Sequence, residues 1–206
     1  MGEKATLRNN SALDKEEELW LKDLGLNFHL RTQPSLPSTA PWEIRLAEQD
    51  FIKWRSNLED HCLFYDGALK GNPGLAGGGG VLLNPTGIIE LDFAWGLGKE
   101  SNNRAQALAL WQGLRLALSK NIRSLTIFGD SRIIVQAVVT KRLPSQVNLA
   151  FLLKNILALT AKFQNFKIFH ILRRLNGMTD LQANNGTLLG RGSLSVDGTI
   201  SNFYIP

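Results

Sequence analysis

The stretch FYDGALKGNPG, residues 64–74, decides the fold of this 206-residue chain. Its first half belongs to an apolar segment, 61–68, that predicts a short strand, and its second half has the glycines and proline of a turn. Asp66 lies on that strand. It is the first of three aspartates that carry the chemical interpretation of the sequence, and the others are Asp130 and Asp180.

The segments that follow this strand predict an α/β protein. Segments 79–83 and 88–95 flank Asn-Pro-Thr-Gly at 84–87, which has hairpin composition, so three successive strands should be antiparallel. Residues 103–120 have the two sides of an amphipathic helix, with Asn102 as a suitable N-cap. The remaining predicted elements are a strand at 123–128, helices at 131–139 and 147–163, a strand at 166–172 and a final short helix that begins near Thr179. The order βββαβααβα predicts an α/β sandwich with a mixed sheet.

The chain divides into three predicted parts: an N-terminal extension at 1–59, a main domain at 60–186 and a loose C-terminal tail at 187–206. Asp14 and Glu17 form a plausible capping pair for a short acidic helix that runs to about residue 24. The proline-rich residues 34–41 have the composition of a linker, and a second helix is predicted at 42–54. The tail is predicted to be loose because it is rich in glycine.

Charge differs between the two ends of the chain. Residues 1–60 hold 8 Lys/Arg against 11 Asp/Glu, whereas residues 61–206 hold 15 against 7. If the three aspartates converge on one site, almost all remaining charge on the main domain is positive, as expected of a surface that approaches a polyanion. The charge pattern slightly favours nucleic acid as a partner over the alternative of a merely soluble basic domain.

Several classes of protein are disfavoured by the sequence. The lone cysteine, Cys62, cannot form an internal disulfide, and no Cys/His cluster offers a zinc site. No apolar run approaches the roughly 20 residues that span a bilayer, so no membrane partner is expected. The N-terminal residues lack the pattern of a secretory signal, and their early acids argue against a transit peptide. We therefore expect an intracellular protein, in the nucleus or the cytoplasm.

Four motifs occur in order along residues 61–186, and together they carry a resemblance. They are YDGA at 65–68 with KGNPG at 70–74, NNRAQAL at 102–108, FGDS at 128–131 and NGMTDLQAN at 176–184. In this order they resemble the ribonuclease H family of the ribonuclease H-like superfamily, closest to the branch associated with reverse transcriptases of plant retroelements. The resemblance implies a five-stranded mixed sheet, with strand order 3-2-1-4-5, flanked by helices. Strands 1 and 4 would then be neighbours, so Asp66 would face Asp130.

The resemblance also implies an activity, which is the Mg²⁺-dependent endonucleolytic hydrolysis of the RNA strand of an RNA–DNA hybrid. Two Mg²⁺ ions roughly 3.5–4 Å apart can activate the water and stabilise the leaving oxygen, and carboxylates are their natural support. By resemblance, Asp66 would bridge both ions, and Asp130 and Asp180 would each hold one side. The fourth carboxylate would stand at position 106, where this chain has Gln106.

Gln106 separates two hypotheses about function. An amide offers a carbonyl oxygen but no charge, so at least one of the two metals should bind more weakly and cleavage should be strongly reduced. The first hypothesis is an impaired ribonuclease H. The alternative is a catalytically inactive descendant that serves as a nucleic-acid or protein interaction module.

The candidate residues also have structural interpretations. Asp66 before Gly67 could form a turn pair, Asp130 could be an N-cap, and Asp180 could favour a helix N-terminus. Each structural interpretation is favoured when the residue is taken alone, whereas the motifs in family order favour the site.

The residues predicted to contact nucleic acid surround the three aspartates in the sequence. By resemblance, Asn102 and Asn103 lie where the family contacts the minor groove of the hybrid, with Asn103 the better contact candidate, although both could be only helix caps. Four basic residues could contact phosphate or could simply be exposed to solvent, and they are Lys70, Arg104, Arg173 and Arg174. His170 lies within a predicted strand and is favoured as a packed residue over a proton carrier.

Overall fold

The structure, a computed structural model, describes residues 58–71 and 73–206. The helices predicted at 14–24 and 42–54 and the linker between them lie outside the described residues. In the part of the chain that is described, no helix is both long and apolar enough to cross a membrane.

A mixed β-sheet forms the centre of the described chain. Its seven strands are β1 (His61–Gly71), β2 (Gly74–Leu83), β3 (Ile89–Glu100), β4 (Ser124–Gly129), β5 (Asn165–His170), β6 (Ser193–Val196) and β7 (Thr199–Asn202). Their order across the sheet is β5-β4-β1-β2-β3-β6-β7. The first three strands are antiparallel to one another, whereas β4 is parallel to β1 and β5 is parallel to β4. The predicted 3-2-1-4-5 order is therefore confirmed within a larger sheet.

Helices cover both faces of this sheet. They are α1 (Asn102–Ser119), α2 (Arg132–Thr140), α3 (Val147–Thr160) and α4 (Gly177–Gly186), and a 3₁₀ turn at Arg173–Leu175 precedes α4. The apolar residues of α1 are buried against β1, β2 and α3. Ser101, rather than the predicted Asn102, is the N-cap of α1, and Asn102 is its first helical residue.

The glycines of β2 allow two helices to pack closely on opposite faces. A Cβ at Gly78 would contact the side chain of Ala109 in α1, whereas a Cβ at Gly79 would overlap the backbone at Ala183 in α4. Because successive strand residues point to opposite faces, α1 and α4 lie on opposite sides of the sheet. The absence of a side chain at Gly77 and Gly79 thus lets α4 lie directly against the strand.

The C-terminal residues form a hairpin, so the prediction of a loose tail at 187–206 is wrong for these residues. β6 pairs antiparallel with β3, and β7 pairs antiparallel with β6. The two residues between them, Asp197 and Gly198, have φ angles of 49° and 79°, which is the backbone of a type I′ turn. Leu194 and Ile205 are buried in the main hydrophobic core, which holds the hairpin and the last residues against the domain. We call β6, β7 and their turn the C-terminal hairpin.

Candidate active site

Two of the three aspartates meet because of the register between β1 and β4. Phe64 of β1 is paired with Phe128 of β4 in a parallel ladder, and their rings stack with centroids 5.0 Å apart. Asp66 and Asp130 each lie two residues beyond this pair. Since neighbouring parallel strands carry equivalent positions side by side, the two carboxylates are brought to the same edge of the sheet.

Gln106 joins these two aspartates from the second turn of α1. Its Nε2 donates to Asp66 Oδ1 at 2.7 Å and to Asp130 Oδ1 at 3.3 Å. The backbone N–H of Gly67 also donates to Asp66 Oδ1, at 2.8 Å. The other amide atom, Gln106 Oε1, is buried and has no hydrogen-bond partner. The residue at the expected carboxylate position therefore contacts two of the predicted ligands as a donor.

Asp180 approaches Asp66 from the opposite face of the sheet. It lies in the first turn of α4, and its side chain is close enough to help raise the pKa of Asp66. The start of α4 is fixed by Asn176, whose Nδ2 donates to the carbonyl of Tyr65 at 2.9 Å. Thr179 Oγ1 donates in turn to the carbonyl of Asn176 at 2.9 Å. We refer to Asp66, Asp130, Asp180 and Gln106 as the aspartate cluster.

Burial and mutual repulsion dominate the electrostatics of the aspartate cluster. The pKa of Asp66 is raised to about 8, first by burial and then by the neighbouring Asp130 carboxylate, whereas the hydrogen bond from Gln106 lowers it. Burial also raises the pKa of Asp130, although the Arg173 guanidinium opposes this effect. The Gln106 amide thus favours the ionised form of both aspartates, Arg173 favours that of Asp130, and Asp180 opposes both.

The aspartate cluster has the donor chemistry of a Mg²⁺ site but only part of the arrangement. Carboxylate oxygens are the ligands that this hard cation prefers. Between Asp66 and Asp130, however, the N–H groups of Gln106 point at the oxygens that would hold it. Within residues 58–71 and 73–206, no group of three or more His, Cys, Asp or Glu side chains is arranged to hold a metal ion. The carboxylate oxygens are suitable ligands for the cation, whereas the Gln106 amide, in this orientation, is not.

The residues predicted to contact nucleic acid differ in how accessible they are. Lys70, Arg173 and Arg174 are exposed, and the two arginines lie on the 3₁₀ turn that leads into α4. Asn102 is half-buried, whereas Asn103 is 2% exposed and its Oδ1 has no partner. Accessibility does not test the contacts of these residues with nucleic acid, which remain predictions.

Arg104, the remaining predicted contact, is already engaged within the protein. Its Nε lies 2.7 Å from Glu100 Oε2, and its terminal nitrogens donate to the carbonyls of Asn148 and Pro206, each at 3.2 Å. It also lines a cleft of about 280 Å³ between the N-terminal ends of α1 and α3. The i,i+4 spacing of Glu100 and Arg104 is a sequence signal for this ion pair, but the long-range contacts carry no such signal.

Two residues near the aspartate cluster were missed or given another role by sequence analysis. Asn176 connects α4 to β1, and its place at the head of the NGMTD motif was the available signal. His170, predicted to be a packed strand residue, is half-buried, and its Nε2 lies 3.1 Å from the backbone oxygen of Asp130. Its ring therefore lies beside the cluster and contacts the backbone there.

Comparisons with known proteins agree with this architecture. The chain is 33% identical over 132 residues to an Arabidopsis thaliana protein named as a ribonuclease H protein, which covers 64% of this chain and 21% of the relative. The chain thus spans about a fifth of the length of that relative. It is also 27% identical over 173 residues to ribonuclease HI of Halobacterium salinarum, which covers 83% of this chain and 84% of the relative.

Solved structures give the same result. The crystal structure of RNase H1 from Halobacterium salinarum superposes with a TM-score of 0.59 at 27% identity, over 61% of this chain and 96% of that one. A model of the reverse transcriptase-like family matches residues 64–186, which include all four sequence motifs and the complete aspartate cluster. The central fold and the family resemblance are therefore confirmed. The chain belongs to the reverse transcriptase-like family and has a ribonuclease H fold.

Proposed function

We propose that this chain binds RNA–DNA hybrids and cleaves their RNA strand in a Mg²⁺-dependent reaction whose rate Gln106 strongly reduces. The observation that carries the proposal is the convergence of buried Asp66 with half-buried Asp130 and Asp180 on one site. A ribonuclease H1 of the same fold, LC11-RNase H1, has been crystallised in complex with an RNA/DNA hybrid. It has 23% sequence identity to this chain and supports the fold alone.

The three aspartates are the residues that would hold Mg²⁺. When bound there, the metal would activate a water and stabilise the leaving oxygen of the phosphodiester. The chain's own residues bring three carboxylates together by strand register and by the docking of α4. Gln106 contributes no charge to that set, which is the physical reason for proposing a slow enzyme.

Exposed basic residues on or beside the elements that carry the aspartate cluster would position the hybrid. Arg173 and Arg174 precede the helix that carries Asp180, and Lys70 lies at the end of the strand that carries Asp66. Contacts of this kind with phosphate and sugar fix the register of a protein on a duplex without reading its sequence. We therefore propose recognition of hybrid geometry rather than of a base sequence.

A second candidate function is a binding module without catalysis. The orientation of the Gln106 amide favours it, because N–H donors face the oxygens that a metal would need. On this alternative the chain would keep the basic surface and the fold but would not cut. The two candidates make different predictions for a single substitution.

A hybrid-cleavage assay with the unchanged chain and Gln106→Glu separates the candidates. Restoring the carboxylate should raise the cleavage rate about 100-fold or more, because a well-held metal is worth several kcal/mol in the transition state. The matched control is the double variant Gln106→Glu with Asp66→Asn, which should not cut. If neither the unchanged chain nor Gln106→Glu cuts the hybrid, the enzyme proposal is wrong and the binding module remains.

A salt series of hybrid binding tests the premise that both candidates share. Phosphate contacts release counterions, so affinity should fall linearly on logarithmic axes as salt is raised. Arg173→Ala should reduce that slope by roughly one phosphate contact. Undetectable binding at low salt would contradict both candidate functions.

A further inference from the structure

The amide nitrogen of Gln106 donates to two carboxylates of the aspartate cluster, and its amide oxygen has no partner. The side chain is 5% exposed, and its Nε2 contacts one oxygen of Asp66 and one of Asp130. Its Oε1 is buried and accepts no hydrogen bond. A buried acceptor without a partner is unfavourable, so the two donor contacts must outweigh its loss.

The opposite orientation of the amide is disfavoured by the same neighbours. Rotating the amide by half a turn would place Oε1, which is an acceptor, against Asp66 Oδ1 and Asp130 Oδ1, which are acceptors as well. No donor would then lie between the two carboxylates. The partial positive charge of the N–H groups therefore faces the aspartates for an electrostatic reason.

Groups that favour the ionised carboxylate act on both Asp66 and Asp130. On the side of Asp130, the Arg173 guanidinium and the Gln106 amide both favour the ionised carboxylate. At Asp66, the Gln106 amide donates at 2.7 Å, while the neighbouring Asp130 and Asp180 carboxyls disfavour the ionised form. Of these groups, the Gln106 amide is the one that contacts both carboxylates.

We propose that the Gln106 amide is a fixed internal substitute for a divalent cation between Asp66 and Asp130. In this chain the pair of carboxylates at Asp66 and Asp130 needs no metal to hold it together. This inference rests on the proposed function in taking Mg²⁺ as the relevant cation. It deepens that proposal by explaining how the aspartate cluster is held together in a chain that lacks the fourth carboxylate.

Thermal unfolding in EDTA and in Mg²⁺, at equal ionic strength, tests the inference without any nucleic acid. The unchanged chain should gain less than about 2 °C in Tm when Mg²⁺ replaces EDTA. Gln106→Glu should unfold at a lower temperature in EDTA, because a fourth carboxylate replaces the donor. It should regain about 5 °C or more at a Mg²⁺ concentration about 100-fold above its dissociation constant. A Gln106→Glu chain that folds only in Mg²⁺ would be the same result in a stronger form.

Gln112 provides a matched control on the same helix. It is 1% exposed, and its Oε1 also lacks a hydrogen-bond partner. Among the described residues, no hydrogen bond joins its amide to a carboxylate. Gln112→Glu should therefore lower Tm equally in EDTA and in Mg²⁺, which separates the burial of a charge from the creation of a metal ligand.

Gln106→Met tests whether the donors themselves matter, since methionine has a similar volume and no N–H group. Its Tm in EDTA should be lower than that of the unchanged chain. The inference is wrong if Gln106→Met unfolds at the same temperature as the unchanged chain, if Mg²⁺ raises the unchanged chain as much as Gln106→Glu, or if Gln106→Glu gains nothing from Mg²⁺. These results are independent of hybrid cleavage, so they fail separately from the proposed function.

Discussion

The aspartate cluster and the C-terminal hairpin belong to the same sheet, but they are built from opposite kinds of residue. The cluster lies where β1 and β4 pair, and it combines buried Asp66 and Gln106 with half-buried Asp130 and Asp180. The hairpin extends the sheet beyond β3 and is held by apolar side chains such as Leu194. The aspartate cluster holds the candidate catalytic groups and lowers the stability of the fold. The C-terminal hairpin raises that stability and carries no catalytic motif.

The free-energy terms of the two regions have opposite signs. Burial of Asp66 next to Asp130 disfavours its ionised form, which is why its pKa is raised. Burial of apolar area in the hairpin is favourable at roughly 25 cal/mol for each Å². A group that is present in spite of an energetic cost is a candidate for function. Substitution of a group that only stabilises the fold is expected to leave activity unchanged.

Truncating the core side chain of the hairpin should give the largest change in stability. Leu194 is 2% exposed, so Leu194→Ala should lower the free energy of unfolding by about 2–5 kcal/mol. Ile200, on the adjacent strand, is 62% exposed, and Ile200→Ala should change it by less than about 0.5 kcal/mol. Urea titrations of both variants measure the difference. Equal effects would show that the hairpin is not docked on the domain.

The pH dependence of stability should show that ionisation of Asp66 in the aspartate cluster is destabilising. Because the folded pKa of Asp66, about 8, lies above its ordinary value of 3.8, the folded state favours the neutral form. The stabilisation from neutral Asp66 is fully present below about pH 4 and is lost as pH rises through about 8. The free energy of unfolding should fall by on the order of a few kcal/mol over this range. In EDTA, Asp66→Asn should lose less stability than the unchanged chain between pH 5 and pH 9.

Asp92 is the acid beside the hairpin whose pKa can be compared with that of Asp66. Burial and the neighbouring Asp197 raise its pKa, but Asp92 is only half-buried. Asp92→Asn should therefore change the pH profile in the same direction and by less than Asp66→Asn does. Thermal unfolding of the three chains at several pH values makes the comparison. A larger effect at Asp92 would contradict the assignment of the main electrostatic cost to the aspartate cluster.

Sequence alone predicts the aspartate cluster better than the hairpin, and the reason is physical. Asp66 and Asp130 could be brought together because parallel strand order fixes which residues are neighbours. The contact from Gln106 follows from the same fold, but the direction of its amide depends on local charges that a motif does not encode.

The hairpin did carry a signal in the sequence, and the glycine content concealed it. Asp197-Gly198 between two short segments is a strong two-residue hairpin pattern. Several glycines nearby were interpreted as a loose tail, yet Gly192 and Gly198 have positive φ angles at the backbone bends that the hairpin requires. The pairing of β6 with β3, a strand distant from it in sequence, could not be predicted from local pattern alone.

A cation–π stack links the end of the chain to α1, and breaking it should have an intermediate effect. The guanidinium of Arg115 lies 4.5 Å from the ring centroid of Trp111 and 4.4 Å from that of Phe203. Arg115→Met keeps an apolar stem and loses both contacts, which should lower stability by about 1–2 kcal/mol. A double-mutant cycle with Phe203→Leu measures the part that belongs to the Phe203 contact. No coupling between the two substitutions would show that this ring does not hold the end of the chain.

The smallest expected effects come from one glycine in each region, and they should have opposite signs. Gly198 has a φ of 79° in the hairpin turn, so Gly198→Ala should destabilise the protein by about 1 kcal/mol. Gly177 begins α4 beside the aspartate cluster, and a Cβ there would have nothing within 4 Å. Gly177→Ala should stabilise by about 0.4–1 kcal/mol, because alanine restricts the unfolded chain more than glycine does. Urea titrations of the two variants measure the sign, and a stabilising Gly198→Ala would contradict the I′ turn that builds the hairpin.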